Sequence, residues 1–258
     1  MTPLLEIRNL TREFGGLRAI ADLGMMVHDS DLMGIIGPNG AGKTTFFNLL
    51  SGIYRPSSGE ILFRGNRIDR LRPSEIARLG IARTFQNIRL FRELSVLENV
   101  RIAYDSHLKY SPMAALFHST GLRQAEQGST RAAQELLDLF ELGSLAHERA
   151  GDLPYGSQRR LEIARALALR PSLLLLDEPA AGMNPSEAMK LLDFLRWVQK
   201  EFSLTIIIIE HHMQLVMGLC TRIEVLDFGV RIAGGSPTEI QNNPRVIEAY
   251  LGAEGEIP

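Results

Sequence analysis

The sequence predicts an α/β fold with three parts: a mixed-sheet core, antiparallel strands at its edge, and an inserted helical lobe. Three observations predict it. Gly37-Pro38-Asn39-Gly40-Ala41-Gly42-Lys43-Thr44-Thr45 follows the apolar stretch Leu32–Ile36 and opens into Phe46-Phe47-Asn48-Leu49-Leu50, which reads as strand, glycine loop and helix. Leu173–Leu176 and Ile206–Ile209 are uninterrupted apolar runs, as strands buried on both faces require. Residues 88–160 hold few β-branched runs and no clear strand pattern.

The glycine loop carries the first chemistry. Its glycines let the backbone wrap closely around phosphate oxygens, with successive N–H groups turned inward. A helix starting near Lys43 adds the positive end of its dipole. Lys43 is expected to reach the β- and γ-phosphates, and the Thr44 hydroxyl to hold Mg²⁺. The expected class is therefore a P-loop NTPase.

The remaining elements follow in order. Leu4–Leu10 alternates as a half-buried strand, Phe14-Gly15-Gly16 makes a turn, and Ala19–Val27 returns as a second strand. The first helix stops at Gly52. Glu60–Phe63 and Arg67-Ile68 flank Gly65-Asn66 as a short hairpin. Pro73–Leu79 is a helix closed by Gly80, and Ile81–Phe85 is a strand that delivers Gln86. Ser95-Val96-Leu97-Glu98 is a capping box. Residues 104–128 read as helical pieces broken by Ser111-Pro112 and Gly121, and Thr130–Phe140 is an amphipathic helix. A helix begins at Gly156-Ser157 and ends before Pro171. Asn184-Pro185-Ser186-Glu187 opens another, with Asn at the N-cap and Pro at N1. A last helix follows Asn242-Asn243-Pro244. The expected division is a core of 1–87 with 161–258 and a helical lobe of 88–160.

Composition excludes several classes. The chain has 258 residues, 45% of them hydrophobic, which suits one large domain or two joined lobes. A net charge of −2 does not favour a nucleic-acid partner. A single cysteine, Cys220, allows no disulfide within the chain and reads as a core residue. Met1–Phe14 lacks a continuous apolar segment, so no signal peptide is expected. The longest apolar runs are far shorter than the roughly 18 residues a spanning helix needs. A soluble protein is expected, with any membrane association made through a partner.

Asp177 and Glu178 end the Leu173–Leu176 strand, where ligands sit in open α/β sheets. With a phosphate loop upstream, Asp177 is expected to order Mg²⁺ together with Thr44, and Glu178 to act as general base toward water. Gln86, at a strand end, is a candidate contact for both Mg²⁺ and that water. His211 is a candidate donor to the γ-phosphate in the transition state. A metal site through His211 and His212 is not expected, because adjacent residues project in different directions. Phe14 reads equally as a base-stacking aromatic and as a turn aromatic over a sheet edge.

Taken in order, these pieces resemble the ATP-binding-cassette (ABC) ATPases along nearly the whole chain, about residues 4–252. The fold implied is a RecA-like mixed sheet with an antiparallel β subdomain and an inserted helical subdomain. By the resemblance, Phe14 is the adenine-stacking residue, Gly37–Thr44 the Walker A loop and Gln86 the Q-loop glutamine. Leu153-Pro154-Tyr155-Gly156-Ser157 falls where the signature belongs, with Tyr155, Gly156 and Ser157 as nucleotide contacts. Asp177-Glu178 matches the Walker B aspartate and catalytic glutamate, Ala181-Gly182-Met183-Asn184 the D-loop, and His211 the switch histidine. Arg83-Thr84-Phe85-Gln86, Arg159–Arg165, Glu178–Gly182 and the ending Tyr250-Leu251-Gly252 resemble the branch serving branched-chain amino acid importers. The chain departs from the family pattern at Pro154, Ser157, Asn184 and His212.

The resemblance implies ATP and Mg²⁺ as cofactors and an ATPase that energises solute import. It implies permease subunits in the membrane, a homodimer or a heterodimer with a paralogous ATPase, and indirectly a solute-binding protein. The expected place is the cytoplasm, peripheral on the inner face of the cell membrane. The other functions weighed are urea or amide import, lipopolysaccharide export, and a soluble ATPase acting on nucleic acid or ribosomes.

Overall fold

The computed structural model describes residues 2–106 and 120–254. They form two compact units, one of residues 2–83 with 172–254 and one of residues 84–106 with 120–171. The expected boundaries at 87/88 and 160/161 thus lie a few residues away from the observed ones at the first junction and about a helix away at the second. The cause of the second is local. Helix α5 (Tyr155–Leu167) packs against α3 (Val96–Asp105) and α4 (Thr120–Leu139), so it stays whole with that unit.

In the larger unit, β3 (Leu32–Ile36) has every residue buried. It pairs in parallel with β8 (Thr205–Ile209) on one side and β9 (Arg222–Asp227) on the other. The six-stranded sheet continues through β7 (Leu173–Asp177) to β6 (Ile81–Arg83), and β10 (Val230–Gly235) pairs antiparallel with β9 at the far edge. All residues of β7 and β8 are buried. Such a strand has two apolar faces to cover, and each fully buried Leu or Ile contributes about 1.5–3 kcal/mol. The apolar runs in the sequence are the signature of that burial.

A second sheet has the order β2 (Leu17–Val27), β1 (Leu5–Phe14), β4 (Ser58–Phe63) and β5 (Asn66–Arg67). Its strands alternate, and Leu5, Ile7, Leu10, Ile20, Leu23 and Ile61 enter the same core as Phe46 and Phe47 of α1 (Lys43–Leu50). Cys220 is buried, and burial pushes its thiol up to about 12. Among the described residues no helix is long and apolar enough to cross a membrane.

Three local expectations need correction. Strand β6 ends at Arg83, not Phe85. The carbonyls of Phe85 and Gln86 are taken instead by the Arg159 guanidinium, at 3.0 and 3.1 Å. Helix α4 starts at Thr120, so Gly121 does not break it. Glycine in a helix costs only about 1 kcal/mol, and the packing of α4 against α3 outweighs that. Helix α5 starts at Tyr155 with Pro154 as its N-cap. The stretch 107–119, including the Ser111-Pro112 break, lies outside the described residues.

Candidate functional site

Strands β3, β6, β7 and β8 are parallel, so their carboxyl ends share one edge of the sheet. Each delivers a polar group there: the glycine loop after β3, Arg83 from β6, Asp177-Glu178 from β7, and Glu210-His211 after β8.

The loop owes its shape to glycine at two points. A Cβ on Gly37 would stand 1.9 Å from the Leu226 carbonyl oxygen, and one on Gly42 would stand 2.4 Å from that of Ala19. Gly42, at φ 98°, is also the N-cap of α1 and offers no side-chain cap. The first-turn N–H groups of α1 are left for an anion. The buried Lys43 folds back over the loop, and its Nζ donates to the carbonyls of Gly37 and Pro38 at 2.7 and 2.8 Å. Burial lowers the Lys43 pKa, while the charges of Glu178 and Asp177 oppose that shift.

Asn39, Gly40, Ala41, Gly42, Lys43, Thr44 and Thr45 line a pocket of about 490 Å³ together with Phe14, Glu178 and His211. That volume falls in the range of about 300–1,000 Å³ usual for small-molecule sites. Ten of the residues singled out in the sequence thus meet in one pocket. Phe14 reaches it with one ring contact already made. Its ring lies edge-on to Tyr54 at 5.2 Å, and the Arg12 guanidinium sits 4.4 Å from its centroid.

Glu178 has a backbone φ of 46°, in the left-handed region. A non-glycine residue held there costs about 1–3 kcal/mol and needs neighbours that fix it. Its N–H donates to the Ile209 carbonyl at 2.9 Å. Its carboxylate Oε1 meets His211 Nε2 at 2.8 Å. The loop beyond it ends at Asn184, which caps helix α6 (Pro185–Glu201) through a capping box with Glu187.

Asp177 is buried, and its Oδ2 accepts from Arg83 Nη2 at 2.8 Å. Arg83 Nη1 also donates to Asn48 Oδ1 and Ser51 Oγ of α1 and its cap, at 2.8 and 3.0 Å. Arg83 therefore ties the end of β7 to the helix that carries the glycine loop. In the sequence Arg83 stands out only as part of a family motif, as a charge closing the apolar pair Ile81-Ala82. Replacing Arg83 by Met should lower stability by about 3–5 kcal/mol, because it strands a buried carboxylate. Chemical denaturation checks this, and a loss below about 1 kcal/mol would show that the pair is dispensable.

A second residue that the sequence offers only within a family motif, with no site role, is Tyr250, on α9 (Pro244–Glu254). Burial raises the pKa of its hydroxyl, and a hydrogen bond from the Gly37 backbone opposes this. Phe228, exposed at the turn between β9 and β10, also lines the pocket and was not foreseen.

Gln86, Tyr155, Gly156 and Ser157 belong to the other unit. There the buried pair Arg159–Glu162, at 2.7 Å, holds the Gln86 segment on α5. Arg159 donates to the Phe85 and Gln86 carbonyls, and Glu162 Oε1 accepts from the Phe85 and Arg89 N–H groups, both at 3.3 Å. Arg159 also reaches the Tyr155 hydroxyl at 3.1 Å. Pro154, the N-cap of α5, provides no side-chain cap.

A phosphate loop after β3 and an Asp-Glu pair closing a buried strand of the same sheet define a nucleotide-hydrolysing class of site. The ABC transporter family matches residues 20–181, more than half of the chain, and the chain belongs to that family, whose ATP-binding proteins bind and hydrolyse ATP. A second family, described as branched-chain amino acid ATP-binding cassette transporter, matches residues 230–256. The chain is 43% identical over 250 residues to the high-affinity branched-chain amino acid transport ATP-binding protein LivG of Escherichia coli (strain K12), covering 97% of this chain and 98% of that protein. It is 44% identical over 250 residues to the high-affinity branched-chain amino acid transport ATP-binding protein BraF of Pseudomonas aeruginosa, with the same coverage. Among solved structures, the ADP conformation of an ATP-binding cassette of an ABC transporter matches with a TM-score of 0.83 at 29% identity, covering 98% of this chain and 100% of that one.

Proposed function

We propose that this chain is the ATP-hydrolysing, energy-coupling subunit of an importer for branched-chain amino acids. The observation that carries the reading is its 43% identity to LivG over 97% of its length. The match of residues 230–256 to the branched-chain amino acid cassette family supports it.

In this reading Gly37, Pro38, Asn39, Gly40, Ala41, Gly42 and Thr45 cradle the triphosphate by backbone and side chain. Lys43 exchanges its two loop carbonyls for β- and γ-phosphate oxygens, and Phe14 stacks on the base. The donor set suits Mg²⁺, which takes one or two protein oxygens and substrate phosphates rather than an all-protein cage. Thr44 and Asp177 would hold it, with Gln86 as a further contact, and when bound it neutralises charge on the β- and γ-phosphates. Glu178 takes the proton of the attacking water. His211, in contact with Glu178, donates to the γ-phosphate as charge builds there.

The site is completed by a second subunit, a copy of this chain or a paralogue. The Tyr155, Gly156 and Ser157 segment at the start of its α5 meets the γ-phosphate through backbone N–H groups and the helix dipole. ATP binds the closed dimer better than the open one, and hydrolysis removes that preference. The dimer drives permease subunits from the inner face of the membrane, fed by a solute-binding protein. Co-purification from membranes, then reconstitution in vesicles, tests the assignment: ATP-dependent uptake of radiolabelled leucine or isoleucine is expected. Uptake of urea or short amides alone would reassign the substrate, and capture of ribosomes without a permease would overturn the reading.

A further inference from the structure

We infer that Glu210 is a positioning residue for the hydrolytic pair Glu178–His211, clamping the loop after β7 to the loop after β8. The inference rests on the roles proposed above for Glu178 and His211.

Glu210 directly follows the buried Ile206–Ile209 run and is only 2% exposed. A carboxylate at such a depth is retained only where donors surround it. Its donors come from both loops. Oε1 accepts from the Ala180 N–H, two residues beyond Glu178, at 2.8 Å. Oε2 accepts from the N–H groups of His211 and His212 at 3.1 and 3.4 Å, with His212 Nδ1 at 3.3 Å. One side chain thus holds the backbone on the far side of Glu178 and the backbone of His211 itself.

The positions it holds are the demanding ones. Glu178 sits at a left-handed φ of 46°. On its near side the Ile209 carbonyl takes its N–H at 2.9 Å. On its far side Glu210 takes the Ala180 N–H. Between these two ties the Glu178 carboxylate meets the His211 ring at 2.8 Å. The phosphate loop and Lys43 hold themselves through separate bonds to Gly37 and Pro38. Loss of the clamp should therefore affect the chemical step and spare nucleotide affinity.

Glu210→Gln keeps the size of the side chain and replaces one acceptor by a donor that faces backbone N–H groups. In the full-length chain kcat for ATP hydrolysis should fall on the order of 10²-fold, the effect of roughly 1 Å of misplacement. KM for ATP and Kd for ADP should stay within about twofold. A parental kcat overturns the inference. So does a parallel loss of kcat and ADP affinity, which marks a structural role alone. Glu210→Asp carries the same test if the Gln variant does not fold, because it keeps the charge but withdraws it from one loop. Glu178→Gln is measured alongside. If that variant hydrolyses ATP at the parental rate, the catalytic reading itself fails. If it is inactive while Glu210→Gln keeps its kcat, only the clamp fails.

Discussion

Replacing Glu178 by Gln should lower ATP turnover by about 10²–10⁴-fold, the range set by losing a positioned general base. The amide fills the same volume and can still accept at one oxygen, so the contact with His211 need not be lost. What disappears is the capacity to take a proton from water. Nucleotide affinity should hold, because Glu178 forms one wall of a pocket whose phosphate side is built by the loop and Lys43. The variant should also prolong the ATP-closed dimer, since hydrolysis is what ends the preference for it. Steady-state ATPase assays, ADP titration and size-exclusion chromatography with ATP read the three consequences. Turnover at the parental rate would remove Glu178 from the base role.

The second large effect belongs to Lys43. Lys43→Ala should weaken ATP and ADP binding on the order of 10²-fold, because hydrogen bonds to charged groups contribute about 1.5–3 kcal/mol. In the structure the ammonium is buried on the Gly37 and Pro38 carbonyls. Removing it also frees the loop it folds over. Lys43→Arg should recover little, because a planar fork does not replace a compact charge in a pocket fitted to it. Calorimetry with ADP and with tripolyphosphate checks this. Equal losses for both ligands would locate the defect at the phosphates, whereas unchanged affinity for both would refute the assignment.

The site was legible in the sequence wherever its parts lie close along the chain. The glycine loop, its strand and its helix form one contiguous stretch. The same holds for the Asn184 cap and the Ser95 capping box, both present in the structure. Glu178 and His211 lie far from the loop in sequence, and their place after buried apolar runs pointed to the same site; for Phe14 the likeness to a known pattern was needed to choose between two readings. Strand ends were misjudged where a tertiary partner captured the backbone. At Phe85 and Gln86 the competitor was Arg159, more than seventy residues away. The amphipathic pattern near 130 underestimated helix α4, because packing sustains it through weaker sequence.

By itself the sequence determined the phosphate-loop chemistry, the buried parallel strands and the family, since each is written in local spacing and composition. Only the tertiary structure decided how those parts hold one another. Arg83 meets Asp177 across a separation of 94 residues, His211 meets Glu178 across 33, and Glu210 meets Ala180 across 30. Each pair follows from the strand order β3-β8-β7-β6, which brings together carboxyl ends whose distance along the chain says nothing of their neighbours. A buried charge is neutral, costly or useful according to what faces it. What faces it is set by that order and not by the residues beside it in sequence.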